Sequence, residues 1–257
     1  MPLVYDQPKY YALAFSYRDI PHEVDILEVL IESYSKIPVR SVLELGCGTA
    51  PHMEELVNRG YRYSGLDLNP TMLAYTKELA ESIGAEAAVN LLEGDLVDFR
   101  LAEPVDFVYI MLGSLYVKNT EGLHRHLHSV ASALRPGGLY FLDWCISYGP
   151  PWESGYAHVW EREANGVKVK MRVDWSIADR VEQTLNETVT LDVDDHGRQY
   201  HFTETYVTRA IYPQEFLSLL TYLGTFEFIG WWNNWNLDQP LDGVQKFNRP
   251  ITVIRRI

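Results

Sequence analysis

Three carboxylates in this chain stand where short apolar runs end: Glu44, Asp67 and Asp95. Glu44 lies in the stretch SVLELGCGTAPHMEEL, residues 41–56, where apolar and β-branched positions lead into Gly46 and Gly48 and a helical pattern follows. A strand that feeds a glycine turn at a helix start cradles a nucleotide-like ligand. A dinucleotide fingerprint wants a third glycine where this chain has Pro51, and proline has no amide hydrogen to offer a phosphate. In a parallel sheet the three strand ends gather at one edge, where ligands bind. Three carboxylates there repel a pyrophosphate; they suit a ligand with an ammonium group, a positive sulfur and a ribose.

The elements that must position these groups follow from periodicity. Residues 22–36 carry apolar side chains at 24, 26, 27, 30 and 31, which predicts a helix. Residues 40–46, 61–67, 89–95, 105–111 and 139–144 read as five strands. Between them, HMEELVNRG predicts a helix stopped by Gly60. NPTMLAYTKELAESIG predicts a second, with Asn69 as its cap, Pro70 in the first turn and Gly84 at its stop. EGLHRHLHSVASALRPGG predicts a third, ending at residues 135–138. Strand and helix alternating at this spacing argue for a parallel sheet covered on both faces.

The second half changes character. GVKVKMRVDW places Val167, Val169, Met171, Val173 and Trp175 on one side and Lys168, Lys170, Arg172 and Asp174 on the other, a half-solvated antiparallel strand. ETVTLDV and RQYHFTETYVT read as its partners, YPQEFLSLLTYLG returns to helix, and TFEFIGWW and PITVIRRI read as closing strands. The expected organisation is an α/β domain over 1–145 and 211–257, interrupted by an antiparallel insertion over 146–210 on the substrate side.

LELGCGTA, GLDLNPTML, EGDL and LRPGGLYFLD, in this order and spacing, resemble the motifs of the class I S-adenosylmethionine-dependent methyltransferases. Ala50 stands where their first motif often ends in glycine. The resemblance implies a doubly wound, mostly parallel, seven-stranded Rossmann-like sheet with the antiparallel β insertion after the fifth strand, and a sixth strand parallel to the others. It implies S-adenosyl-L-methionine as cofactor. Glu44 and the Gly46 backbone would face its ammonium, with Cys47 and Gly48 completing the turn. Asp67 would accept its ribose hydroxyls, with Leu68 near the adenine. Asp95 would take the adenine amino group and the Leu96 amide a ring nitrogen. Met111 and Leu112 would border the methionine end, and Tyr11 or Tyr17 would close over the cofactor, as N-terminal aromatics do in similar small-molecule methyltransferases.

The implied activity is methyl transfer to a nitrogen or oxygen of a small molecule. Candidates near the transferred methyl are Ser114, Tyr116, Asp143 and Trp144, and no residue is marked out as a general base. Trp144, Tyr148 and Trp152 in the insertion, with Trp232 and Trp235 after the sixth strand, predict an aromatic lid over the acceptor; Trp144, Tyr148 and Trp235 are the expected substrate contacts. The rival readings are an RNA or protein methyltransferase and a non-catalytic S-adenosylmethionine-binding protein.

Composition weighs against the nucleic-acid rival. The formal net charge is -13, and residues 145–210 hold 7 Lys and Arg against 11 Asp and Glu. MLGSLY also lacks the Asn/Asp-Pro-Pro-Tyr pattern of enzymes that act on base amines or glutamine amides. No basic start followed by an apolar run opens the chain, no apolar run is long enough to span a bilayer, and Cys47 and Cys145 suit a reducing setting. The expectation is a cytoplasmic protein with no membrane or nucleic-acid partner.

Other constellations carry less chemistry. His124 and His128 sit one helical turn apart with only Glu121 as a nearby acid, and no metal is expected. DVDDHG, residues 192–197, has His196 and Thr203 where a calcium loop wants acidic ligands, and reads as a hairpin turn. Cys47 has no histidine partner placed by sequence.

Overall fold

The computed structural model describes residues 3–149, 157–243 and 246–257. Its centre is a sheet built from β1 (Ser41–Leu45), β2 (Arg62–Asp67), β3 (Val89–Glu93), β4 (Val105–Ile110), β5 (Leu134–Asp143), β10 (Phe226–Trp232) and β11 (Ile251–Arg256). The spatial order is β10-β11-β5-β4-β1-β2-β3. β1, β2, β3, β4 and β5 pair in parallel. β11 is antiparallel to both β5 and β10, so β10 runs in the same direction as β5, as expected. The order reverses beside β1, which makes the carboxyl end of that strand the ligand-binding crevice.

Both faces are covered. Alternate strand residues such as Leu43, Leu45, Val108 and Ile110 meet α5 (Thr120–Ala133) and α6 (Pro213–Leu223) on one side. Val42, Phe107 and Tyr109 meet α2 (Ile20–Tyr34), α3 (Met53–Asn58) and α4 (Pro70–Ser82) on the other. The near-continuous burial of β1 and β4 is what a strand with two covered faces requires. The predicted caps are present: the Asn69 side chain accepts from the amides of Thr71 and Met72, and Gly224 ends α6 in the left-handed conformation.

One boundary differs. α5 stops at Ala133, and the predicted helical end at 135–138 is already strand, β5 opening at Leu134 paired to Val105. Pro136 cannot continue a helix, and a Cβ on Gly138 would sit 2.4 Å from the Asp106 carbonyl oxygen, so only glycine lets the two backbones approach here.

The second sheet is β6-β7-β8-β9: β6 (Ala157–Ala164), β7 (Val167–Asp179), β8 (Thr184–Asp195) and β9 (Arg198–Arg209). All its pairings are antiparallel. β6 was not foreseen, because its exposed, charge-rich sequence hides the alternation. DVDDHG is the tight β8–β9 turn, with His196 and Gly197 at φ 53 and 85, the pair of positive φ values a two-residue hairpin needs. The apolar face of this sheet packs on the N-terminal segment: Val169, Met171, Val189, Leu191, Val193 and Phe202 form a separate core with Val4 and Ala14. The Trp160 indole of β6 donates to the Ala14 carbonyl at 2.8 Å. Thus α1 (Pro8–Ala14) is held between the second sheet and the ligand edge of the first. Among the described residues no helix is long and apolar enough to cross a membrane.

Candidate functional site

At the carboxyl end of β1 the chain turns through Gly46, Gly48 and Ala50, at φ 63, 51 and 47. Ala50 thus occupies a left-handed position, the reason glycine is usual there. The turn is held open from β2: Asp67 Oδ2 accepts the Gly48 amide at 2.7 Å, and Oδ1 accepts the Asn69 amide at 2.8 Å. Burial raises the Asp67 carboxyl above its ordinary value against the pull of these amides. Each oxygen keeps a lone pair for a ligand hydroxyl. Leu68, 70% exposed, stands beside it.

A cavity of about 230 Å³ opens at this turn. Its wall includes Tyr11, Arg18, Glu44, Gly46, Cys47, Gly48, Met111, Leu112 and Ser114. Arg18 and Glu44 are its charged lining residues, one of each sign. Glu44 is buried; its Oε2 accepts the hydroxyls of Tyr63 at 2.6 Å and Tyr109 at 3.0 Å. Burial pushes the Cys47 thiol well above its ordinary range, so it is not a nucleophilic thiolate.

Behind the cavity lies an ionic network that sequence reading missed. His52, fully buried, places Nε2 2.9 Å from Glu23 Oε2 and Nδ1 3.6 Å from Glu44 Oε1. Burial opposes its charge, but the two glutamates prevail and its pKa is raised. Arg18 pairs with Glu23 through Nε and Nη2. Arg249 bridges Glu23, at 2.7 Å, and Asp143, at 2.8 Å. Burial would raise the Glu23 carboxyl; the hydrogen bonds from His52 and Arg18 overcome it and hold the group well below the carboxylate range. Three cations and three carboxylates close the network, which is how buried charge is tolerated. The one local signal was the PH that follows the glycine turn; Glu23 and Arg249 are 226 residues apart.

The other expected residues divide. Tyr11 lines the cavity. Tyr17 does not: it is half-exposed, under the Arg162 guanidinium and edge-on to Trp160 of β6. Asp95 is exposed two residues past β3, its Oδ1 accepting the Val97 amide at 2.8 Å. The Leu96 carbonyl accepts from His126 Nδ1 at 2.7 Å, which ties this turn to α5. Leu112, at φ 55, donates its amide to Asp143 Oδ2.

Two expectations are corrected by burial. Asp143 is fully buried, and its oxygens are engaged by Arg249, the Leu112 amide and the Trp235 indole at 2.9 Å, so it anchors loops and has no open face for an acceptor. Trp235 is likewise a core residue, 8% exposed, packed on Phe141 and under Arg249. Tyr148 packs on the opposite face of the sheet, stacked on Phe247 and edge-on to Trp231. Trp144, 42% exposed, meets His158 of β6 edge-on. These three aromatics do not form one lid; Trp232 is buried against Tyr34, and Trp152 lies outside the described residues.

Residues 42–138 match the protein family described as Methyltransferase domain. The chain is a class I S-adenosylmethionine-dependent methyltransferase. Over 189 residues, 72% of this chain and 74% of the relative, the methyltransferase is 28% identical to a dTDP-3-amino-3,4,6-trideoxy-alpha-D-glucopyranose N,N-dimethyltransferase of Streptomyces venezuelae. It is 28% identical to a malonyl-[acyl-carrier protein] O-methyltransferase of Ilyobacter polytropus over 46% of this chain and 43% of the relative. Its fold is that of the S-adenosylmethionine-bound amino pentose methyltransferase CalS10 from Micromonospora echinaspora, with TM-score 0.72, 19% identity and 96% of each chain covered. The methyltransferase's own residues fit its cofactor. Arg18 and Glu44 offer a cation and an anion in one cavity, the chemistry that a zwitterionic amino-acid group requires, and Asp67 holds the Gly48 amide of the cavity wall with a lone pair left on each oxygen.

Proposed function

We propose that this methyltransferase acts on an amino nitrogen of a small, sugar-like acceptor, in the cytoplasm, without nucleic acid as partner. The observation that carries the reading is the extent of the likeness. The amino-sugar N,N-dimethyltransferase aligns over 189 residues, well beyond the domain of 42–138, while the O-methyltransferase aligns over 118. The second sheet, assigned here to the acceptor side, belongs to a chain of which the amino pentose methyltransferase covers 96%.

S-adenosylmethionine supplies a methyl group on a positive sulfur, ready for in-line displacement. The chain's residues orient and enclose. Arg18 and Glu44 hold opposite charges of the amino-acid end, Asp67 takes the ribose hydroxyls, and Asp95 and the Leu96 amide, fixed through His126, meet the adenine. Met111, Leu112 and Ser114 border the reacting end, with Tyr11 closing it from α1. Positioning and exclusion of water account for most of such catalysis. The free cysteines Cys47 and Cys145 and the acidic surface support the cytoplasmic, nucleic-acid-free placement.

The test is incubation with methyl-labelled cofactor and a dTDP-linked 3-amino sugar, beside its 3-hydroxy analogue, with the methylated atom located by NMR. Label on nitrogen supports the reading. Label only on the hydroxy analogue overturns it.

A further inference from the structure

Resting on the amine reading, the geometry points to Glu187 as the residue that receives the acceptor's ammonium group and takes its proton.

Glu187 breaks the pattern of its own strand. Along β8, Val189, Leu191 and Val193 share its phase and are buried against the N-terminal segment; the acids of that row are Glu187 and, at the strand end, Asp195, which accepts the Tyr10 hydroxyl at 2.8 Å. It lies directly between Trp175 of β7 and Tyr206 of β9 in the register of the sheet. The Trp175 indole donates to Oε2 at 2.7 Å, and the Tyr116 hydroxyl donates to Oε1. Around these stand Tyr5, 5.4 Å between centroids from Tyr11 and 5.6 Å from Tyr206, and Tyr116, 5.6 Å from Tyr206. His158 of β6 lies edge-on to Trp175. The groups facing the carboxylate are therefore phenols, an indole and, one ring away, an imidazole. Among the described residues no lysine or arginine forms an ion pair with it; its side-chain donors are Tyr116 and Trp175.

An acid of the neighbouring strand makes the contrast. Glu204 of β9 accepts the Tyr5 amide at 3.2 Å and so holds the N-terminal segment in place. Glu187 has no such backbone duty. Burial raises its carboxyl above the ordinary value despite its two donors, which makes it a stronger base than an exposed carboxylate. A carboxylate ringed by aromatic faces is a receptor for an organic cation.

This cluster adjoins the cofactor cavity. Tyr11 lines that cavity and packs on Tyr5, and the Tyr11 phenol senses the charges of both Asp67 and Glu187. Ser114, on the cavity wall, is two residues from Tyr116. An acceptor amine entering past Tyr11 and Ser114 meets Glu187 as ammonium. One N–H bond breaks, the Glu187 O–H bond forms, and the electron pair stays on nitrogen, which becomes the neutral nucleophile that methylation needs.

The test uses cyclohexylamine and its isostere cyclohexanol as probes, with the wild-type protein loaded with S-adenosylhomocysteine and binding read by calorimetry. The amine should bind at least about tenfold more tightly than the alcohol, and its affinity should fall as acid protonates Glu187. Parity between the two probes overturns the assignment without any variant. Glu187→Gln, checked for unchanged melting temperature and S-adenosylhomocysteine affinity, should lose that preference. With the dTDP-linked amino sugar it should also lose the acid limb of the kcat/KM profile. N-methylation with that limb intact overturns the role of Glu187 alone; methylation only at oxygen overturns the amine reading itself.

Discussion

Arg249 and Asp143, 106 residues apart, meet through a fork: Arg249 Nε lies 3.1 Å from each Asp143 oxygen and Nη2 2.8 Å from Oδ2. The pair ties the loop before β11 to the end of β5. Its Nη1 also reaches Glu23 at 2.7 Å. Arg249→Met leaves both carboxylates buried without that cation. The expected loss is about 3–5 kcal/mol of stability, read by urea denaturation. A loss of less than about 1 kcal/mol would show the network to be dispensable.

Trp235 belongs to the same network and should behave as a core residue. Trp235→Ala removes an indole packed on Phe141 and the donor to Asp143 Oδ1. It should cost roughly 3–5 kcal/mol, visible as a lower melting temperature. A variant that melts like the wild type but binds the acceptor poorly would instead restore the expected lid.

Asp67 holds the glycine turn through the Gly48 amide and is the residue proposed to take the cofactor's ribose hydroxyls. Asp67→Ala removes charge-assisted hydrogen bonds worth ~1.5–3 kcal/mol and the anchor of the Gly48 amide. Calorimetry should find S-adenosylmethionine bound roughly 10- to 100-fold more weakly. Unchanged affinity would exclude Asp67 from the site.

His126 makes stability depend on pH in a defined window. Burial, against the Leu96 carbonyl and Asp95, lowers its pKa from 6.5 to about 4. It is neutral in the folded protein where the unfolded chain is already protonated. Its contribution is complete above about 6.5 and is lost as pH falls toward 4, by roughly 3 kcal/mol in full. His126→Phe should flatten the fall in denaturation midpoint over that interval. An unchanged slope in the variant would assign the effect to other groups.

The sequence by itself determined the sheet, its helices and the glycine turn, because these rest on short-range signals. Apolar runs of strand length, Asn69 and Pro70 opening α4, Gly224 closing α6 and the G-C-G turn each act within a few residues. The same locality placed Glu44 and Asp67 at strand ends. The end of α5 was misread because Pro136 and the close passage of β4 past Gly138 act through tertiary contact. Only the tertiary structure decided which aromatics are core and which line a pocket: Trp235 and Tyr148 lie on opposite faces of one sheet, and the sequence pattern around each is similarly aromatic. Only it could assemble Arg18, Glu23, His52, Asp143 and Arg249, since an ion pair between residues 226 apart leaves no periodic trace. Glu187 lies between these cases. An acid on the apolar phase of β8 was visible in the sequence, but it gained meaning when β7, β9 and the N-terminal tyrosines closed around it.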